Sequence, residues 1–412
     1  MTPHARKWLS RIVRLTVTAA AVVYLYTKVA WYDQATLAAD PAKSCRIVGI
    51  PAADPLQLED PSTGRRFTAT ASELATPAQT APLNKHPIEY GLRSIVRRMN
   101  VGYALLALLA VGPTTFILGW RLRYLLAMQH IEMSRTEAIL LTFAGNFFNF
   151  ALPGTTGGDL YKAYHIARHA HKRTEGVTVV FLDRAIGLIS FVLLASLCIL
   201  ASWRTQALGR LGKLVGLMMA ALFVGAAIFF SRRFRRWIGY EALLARLPMA
   251  DRLKRVDQTA FNFRYHPRQT AVALLVTAAS HAFLALGVMY FARSVGMPRP
   301  RMFDSHGMGE FYLACMLALT VGYLLAAVPI SFQGFGLLEA VFLRVLAVGG
   351  WGTNSQVIAV CLGARVIQLI WSLPGIVVPW LGLRRPTAKE QEATEEAAGP
   401  SDESVRADCR VA

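Results

Sequence analysis

Four ionisable side chains in apolar segments are the residues of this sequence best suited to bind a charged group. Asp183 and Arg184 lie in the first third of one apolar run, Glu339 follows a Gly-rich stretch, and Arg365 lies near the middle of the last run. A charge at a bilayer centre costs at least about 2.5–3.5 kcal/mol, so each should face a cavity or a partner. Arginine can bind two phosphate oxygens at once. We therefore expect Arg184 or Arg365 to bind a phosphate, while Asp183 and Glu339 hold the arginines.

The same residues have a purely structural explanation. Ion pairs can simply join two helices, and long basic side chains can snorkel to the membrane surface. Snorkelling is the favoured interpretation for Arg344, whereas Gln368, one helical turn after Arg365, favours a polar site.

Two Gly-rich breaks, residues 153–159 and 329–339, interrupt apolar segments at corresponding places in the two halves of the chain. Matched interruptions indicate a transporter-like binding site. Broken helices leave N–H groups unpaired, and these bind anions where glycine lets the backbone approach. Simple surface loops would explain the same Pro-Gly pairs. The candidate substrate-binding residues are Asn146, Asn149, Pro153, Gly157, Gly158, Asp159, Asp183, Arg184, Ser331, Gly334, Gly336, Glu339, Arg365 and Gln368.

Long apolar runs separated by short basic loops must position these residues. The chain has 412 residues, of which 54% are hydrophobic and only 17% charged, against about 25% charged in soluble domains. A hydrocarbon core of about 30 Å requires about 20 helical residues, with every backbone group bonded internally. The sequence predicts an all-α, polytopic membrane helix bundle with about seven or eight spans and two re-entrant or broken helices in pseudo-repeated halves.

The predicted spans differ in length and flanking charge. Residues 120–134 mix apolar and charged positions at helical spacing and predict an amphipathic helix in the interface. The pieces 138–152 and 340–348 are short enough to re-enter. The full spans are predicted at 15–31, 101–119, 177–203, 214–230, 270–291, 311–328 and 356–383.

The chain has a net charge of +19. Its basic residues flank the spans, as the positive-inside rule and anionic headgroups require. We therefore expect a multi-pass protein of the inner (cytoplasmic) membrane, with a cytoplasmic N-terminus and a cytoplasmic basic loop at 232–268. No nucleic-acid module is recognisable. The cysteine spacing does not favour a metal site. Cations crowd the His165 and His169 pair, so this pair does not favour one either. No cofactor is expected.

Several motifs occur in a specific order. These are Asn146-Phe147-Phe148-Asn149, Leu152-Pro153-Gly154, Gly157-Gly158-Asp159, Leu182-Asp183-Arg184, Pro329-Ile330-Ser331, Gly334-Phe335-Gly336, Glu339 and Arg365. Over residues 95–385 the chain resembles the lysylphosphatidylglycerol synthase transmembrane family. The resemblance implies translocation of a lipid or glycolipid. Only about 28 polar residues follow the membrane part, so we do not expect an aminoacyl-transferase domain.

The predicted organisation has four parts. Residues 1–32 form a first transmembrane helix, 33–98 a small extracytoplasmic excursion with strands near 46–50 and 66–70, 99–385 a flippase-like transmembrane domain, and 386–412 a disordered polar tail. The partners of this protein are expected to be anionic or phosphate-bearing membrane lipids. Their headgroup phosphate is expected to bind near the two breaks. Two alternatives remain open. One is a membrane enzyme acting on a lipid or polyprenyl phosphate with Asp159 or Glu339 as base. The other is an accessory subunit that binds lipid-synthesis proteins through 33–98.

Overall fold

The computed structural model describes residues 30–48, 55–75, 88–151, 157–169, 173–201, 266–298, 307–327 and 334–380, with single residues at 16, 19, 23, 26, 216 and 217. The predicted first span, the span at 214–230, the basic loop at 232–268 and the polar tail therefore lie largely or wholly outside the described residues. Their predictions stay predictions.

A small antiparallel sheet precedes the helices. Its core is formed by short apolar side chains such as Ala35 and Leu58, both fully buried. The Lys43 ammonium donates to the Asp60 carboxylate at 2.7 Å and holds the pKa of that carboxyl below its usual range. The predicted strand 66–70 matches β4, and the one at 46–50 overlaps only the end of β2. The strands, in spatial order β4-β3-β2-β1-β5, are β1 (Gln34–Leu37), β2 (Asp40–Ile47), β3 (Leu56–Glu59), β4 (Arg66–Ala69) and β5 (Ile88–Glu89).

Helices make up most of the rest of the described chain and confirm the membrane helix bundle. Five of them are long and apolar enough to cross a membrane: Val101–Ala127, Thr174–Ala201, Pro267–Ser294, Met308–Ala326 and Asn354–Ile376. The total of seven or eight spans stays a prediction. The helices are α1 (Leu92–Arg97), α2 (Val101–Ala127), α3 (Arg135–Ala151), α4 (Gly157–His169), α5 (Arg173–Ala201), α6 (Pro267–Ser294), α7 (Met308–Ala326), α8 (Leu337–Phe342) and α9 (Asn354–Ser372).

The sheet is attached to one end of the bundle, which we call the sheet side. The backbone N–H of Ala30 donates to the Ser355 hydroxyl at the start of α9, and Ser355 donates to the Glu89 carboxylate through both its N–H and its hydroxyl. At the same end, Asn100 before α2 donates its backbone N–H to Ser294 at the end of α6. Helices α2 and α9 therefore begin on the sheet side, and α6 ends there.

Helices α3 and α4 form the first hairpin, whose two ends lie on the opposite side. A Cβ added to Gly176, near the start of α5, would contact both Ile166 of α4 and Ile131 after α2. His165 near the end of α4 lies 3.3 Å from Glu137 in the first turn of α3. The chain thus leaves α2 on the opposite side, enters through α3, returns through α4 and continues into α5 from that side. This arrangement is a re-entrant helical pair.

Helices α7 and α8 form the second hairpin, which enters from the sheet side. Phe311 in the first turn of α7 packs on Trp351, which lies just before α9, with ring centroids 5.3 Å apart. At the other end, Gly334 is so close to α7 that an added Cβ would lie 2.3 Å from the Ala326 Cβ. Helix α8 continues into a π-helical turn, Leu343–Ala347, before the chain reaches α9.

The two hairpins consequently have opposite orientations, and the halves repeat one order of elements. Each half has a long helix (α2 or α6), a hairpin, and a helix after the hairpin (α5 or α9). The long helices α2 and α6 pack closely at the centre, since a Cβ at Gly287 would lie 2.4 Å from Val111. Such inverted repeats are typical of transporter folds.

The predicted interface helix at 120–134 is wrong. Helix α2 continues without interruption to Ala127 and buries Arg121 inside the bundle. Charged residues in this segment predicted a position at the membrane surface. A charge such as that of Arg121 can instead lie inside the bundle when a partner on another helix neutralises it.

Candidate functional site

The second hairpin contains a buried carboxylate–arginine pair. Glu339 is the third residue of α8 and is fully buried. Its Oε1 accepts hydrogen bonds from Arg365 Nε at 3.1 Å and Nη2 at 2.9 Å, and its Oε2 accepts from the Gly336 N–H at 2.7 Å. The Arg365 guanidinium also lies 3.9 Å above the Phe335 ring centroid. Gly336 has a φ of +87°, a backbone conformation that favours glycine.

The first hairpin carries the corresponding pair. Asp159 is the third residue of α4, and its carboxylate accepts a hydrogen bond from Arg184 of α5. This pair is more exposed than the other: the side chains of Arg184 and Asp159 are 26% and 18% exposed, against 14% for Arg365 and 0% for Glu339. The first pair is therefore the easier one for a ligand to reach in this conformation.

Both arginines lie at similar depths when measured from opposite surfaces. Arg184 is eleven residues past Arg173, where α5 begins, and Arg365 is eleven past Asn354, where α9 begins. At 1.5 Å per residue this is about 16 Å, roughly half of a 30 Å hydrocarbon core. Because α5 and α9 start on opposite sides, the two pairs lie near the middle of the bundle.

The structure pairs Asp183 with Arg121, so the expected role of Asp183 in holding Arg184 is wrong. Arg121 donates from Nε to the Asp183 carboxylate at 2.7 Å, from Nη1 to the Thr277 hydroxyl at 2.7 Å and from Nη2 to the Asp183 carbonyl at 3.2 Å. Only 5% and 8% of the two charged side chains is exposed. Consecutive residues on a helix face different directions, so Asp183 and Arg184 contact different neighbours. This cluster joins α2, α5 and α6.

The remaining candidates in the first hairpin stabilise its backbone. Asn149 accepts a hydrogen bond from the Gly158 N–H at 2.8 Å, and Asn146 donates to the Thr115 hydroxyl at 3.3 Å. A Cβ on Gly158 would lie 1.9 Å from the Gly145 carbonyl oxygen. The contacts of Gly158 hold α3 and α4 together directly beside Asp159, whereas the Asn146 hydrogen bond joins α3 to α2. The structure buries Gly157 at the start of α4, whereas Pro153 and Ser331 lie outside the described residues.

A column of polar and aromatic side chains leads away from the second pair and was not found from the sequence. Gln368 of α9 donates to the Tyr323 hydroxyl of α7. The Tyr323 ring stacks on Phe191 of α5 at 5.7 Å, and Phe191 stacks on His281 of α6 at 3.8 Å. The His281 ring nitrogen lies 3.3 Å from the Ser190 hydroxyl. The column joins helices of both halves, which no local sequence pattern could reveal.

The family comparison matches the helical part of the chain. The sequence model described as "Lysylphosphatidylglycerol synthase TM region" matches residues 91–375. This protein belongs to that family. The comparison with curated proteins gives no match.

The family match separates two structural parts of this lysylphosphatidylglycerol synthase TM region protein. Among the described residues, helices α1–α9 lie within 91–375, while strands β1–β5 precede the match. Both carboxylate–arginine pairs thus belong to the matched region, and the sheet lies outside it. Within the described ranges, no group of three or more His, Cys, Asp and Glu residues could hold a metal ion.

Proposed function

We propose that this protein translocates a phosphate-bearing lipid or glycolipid across the membrane. The observation that carries the proposal is the pair of matched ion pairs, Asp159–Arg184 and Glu339–Arg365, on hairpins that enter from opposite sides. In transporters with inverted repeats, substrate sites lie near the bilayer midplane and are formed by interrupted helices. The two arginines have this depth and this neighbourhood.

The chemistry of each pair suits the exchange of an anion. In the absence of a headgroup, the carboxylate neutralises the arginine and avoids an isolated buried charge. A phosphate presents oxygens with the same bidentate geometry, so it can replace the carboxylate as the arginine's partner. Arg184 and Arg365 would then receive the headgroup in turn, each from the side on which its hairpin enters.

The basic residues support one direction of insertion. The sequence before α6 contains Arg232-Arg233-Phe234-Arg235-Arg236, and α6 begins at Pro267 on the side opposite the sheet. Positively charged loops favour the cytoplasm. We propose that the sheet lies outside the cytoplasm, that the protein resides in the inner membrane, and that its N-terminus is cytoplasmic.

Lipid transfer in liposomes tests the function. The protein is reconstituted with phosphatidylglycerol labelled on its headgroup, and transfer is measured by the loss of label accessible to an impermeant quencher. We expect wild-type protein to accelerate transfer over protein-free liposomes, and Arg365→Met and Arg184→Met to slow it about tenfold or more, since a charge-assisted contact of 1.5–3 kcal/mol is lost.

The control is Arg344→Met. Arg344 lies on the π-helical turn next to α8 but is exposed, so its loss should leave the rate unchanged. Wild-type transfer no faster than in protein-free liposomes, or equal rates in all variants, would refute the proposed function.

A further inference from the structure

Lys162 on α4 is a buried cation with no polar partner among the residues that the structure describes. Only 8% of the residue is exposed. Its aliphatic stem crosses the backbone of α3 at Gly145, where an added Cβ would lie 2.5 Å from the Lys162 Cε and 3.3 Å from its Cδ. The absence of a side chain at Gly145 is therefore what makes room for the lysine inside the hairpin.

The stem of the lysine runs toward the first turn of α4. Helical side chains tilt toward the N-terminus of their helix, which directs Lys162 toward the first turn of α4, where Asp159 lies. Gly145, which contacts its stem, is also the residue whose carbonyl meets Gly158 in that turn. The ammonium group is consequently directed toward the middle of the bundle, away from the surface at which α4 ends.

The two acidic side chains of the first hairpin, among the described residues, already have other partners. Asp159 is neutralised by Arg184, and on the next turn of α4 His165 faces Glu137. Lys162 adds one further positive charge, and the N-terminus of the 13-residue helix α4 adds about half a charge of the same sign. An isolated ammonium group is costly to bury unless an anion joins it.

The second hairpin does not repeat this feature. The residue three positions after Glu339 is Phe342, which is 1% exposed and packs in the apolar core, whereas three positions after Asp159 stands Lys162. The two halves are thus matched in their ion pairs but not in this cation. Among the described residues, a buried cation stands at this position in the hairpin that enters from the side opposite the sheet, and an apolar residue stands there in the other hairpin.

We propose that Lys162 forms an anion subsite that receives a phosphate group within the first hairpin, beside but separate from the Arg184 and Arg365 pairs. The proposal rests on the proposed function insofar as the phosphate is carried by a lipid. A free phosphate has the same chemistry, so the two sources are compared in the test.

The test compares thermal unfolding of the full chain in a neutral detergent with three additives: phosphatidylglycerol, phosphatidylcholine and inorganic phosphate. We expect phosphatidylglycerol to raise the unfolding temperature of wild type. Lys162→Met keeps the stem but removes the charge and should weaken the apparent affinity about tenfold or more, because a charge-assisted hydrogen bond is lost. Lys162→Arg should restore most of the binding.

The control is Arg168→Met, on the same helix. Arg168 is exposed and donates to the Tyr164 hydroxyl, so its loss should leave lipid stabilisation unchanged. Without additives, Lys162→Met should unfold at the wild-type temperature or above it, because an unpaired buried charge has been removed. An equal response to inorganic phosphate that is lost in Lys162→Met supports the subsite with free phosphate as its ligand.

Two results would overturn the subsite. One is an undiminished response of Lys162→Met to both phosphate sources. The other is a Lys162→Met protein that fails to fold or unfolds earlier without additives, since that would mean the charge already has a partner. If Lys162→Met behaves as predicted while Arg184→Met and Arg365→Met transfer lipid at wild-type rates, the subsite stands and the proposed function fails. If Lys162→Met responds to both phosphate sources like wild type while Arg184→Met and Arg365→Met slow lipid transfer, the subsite fails and the proposed function stands.

Discussion

Replacing Asp183 with Asn removes the charge that balances Arg121 at a place where almost no water reaches either side chain. Arg121 is 5% exposed, and its three hydrogen bonds all end on Asp183 or Thr277. The substitution keeps the shape of the side chain, so the main change is an uncompensated guanidinium between α2, α5 and α6.

The expected loss of stability is large. Breaking a buried pair by removing one partner costs about 3–5 kcal/mol, whereas replacing both charges with apolar or neutral groups is often close to neutral. We therefore expect Asp183→Asn to lower the free energy of unfolding by about 3–5 kcal/mol. The double variant Arg121→Met/Asp183→Asn should recover most of that loss, with a coupling free energy of about 2 kcal/mol or more.

Reversible unfolding in mixed micelles of rising denaturing-detergent content measures these free energies, with Arg344→Met as an exposed control expected within about 0.5 kcal/mol of wild type. Lipid transfer by the double variant should stay near the wild-type rate. A double variant as unstable as the single one would refute the account of a purely structural pair. So would a stable double variant that no longer transfers lipid.

Three further predictions concern the hairpin and the sheet. Gly158→Ala should destabilise the protein by several kcal/mol, because its Cβ would lie 1.9 Å from the Gly145 carbonyl oxygen; thermal unfolding checks this, and a wild-type melting temperature would contradict it. Glu89→Gln weakens the acceptor of both Ser355 hydrogen bonds, so hydrogen exchange of the sheet should rise while exchange in α9 beyond its first turn stays unchanged. The pKa of Asp60 is lowered by its lysine partner, so the stabilisation of the sheet by this pair should be present above about pH 4 and decline as the pH falls below it; the pH dependence of sheet exchange should flatten in Asp60→Asn.

Hydropathy predicted the helices well where a run was long and uniformly apolar. Residues 270–291 and 311–328 correspond closely to α6 and α7, because a bilayer demands an internally bonded helix at such places. Prediction failed at residues 120–127, where Arg121 was interpreted as a surface charge. Its partner Asp183 is 62 residues away in the sequence, and no pattern within one helix announces a contact between helices.

The candidate site was predicted only in part, again because contacts between helices leave no pattern within one helix. Glu339 and Arg365 form the expected pair, but Asp183 does not hold Arg184, since neighbouring residues on a helix point in different directions. The burial of Lys162 was not predicted, because it depends on a contact with Gly145 of a different helix. Only two strands of the sheet were predicted. Strands of four residues such as β3 and β4 show little alternation, and their pairing partners are not adjacent residues in the sequence.

The central claim is that a phosphate headgroup enters the middle of the bundle between the two hairpins. Photo-crosslinking with a phosphatidylglycerol that carries its reactive group on the headgroup tests this most directly, with labelled peptides mapped by mass spectrometry. We expect labels in α4 and α5 near Arg184 and in α8 and α9 near Arg365, and we expect unlabelled phosphatidylglycerol to reduce them. Labels confined to the sheet or to outward-facing residues such as Leu105 and Leu109 would contradict it.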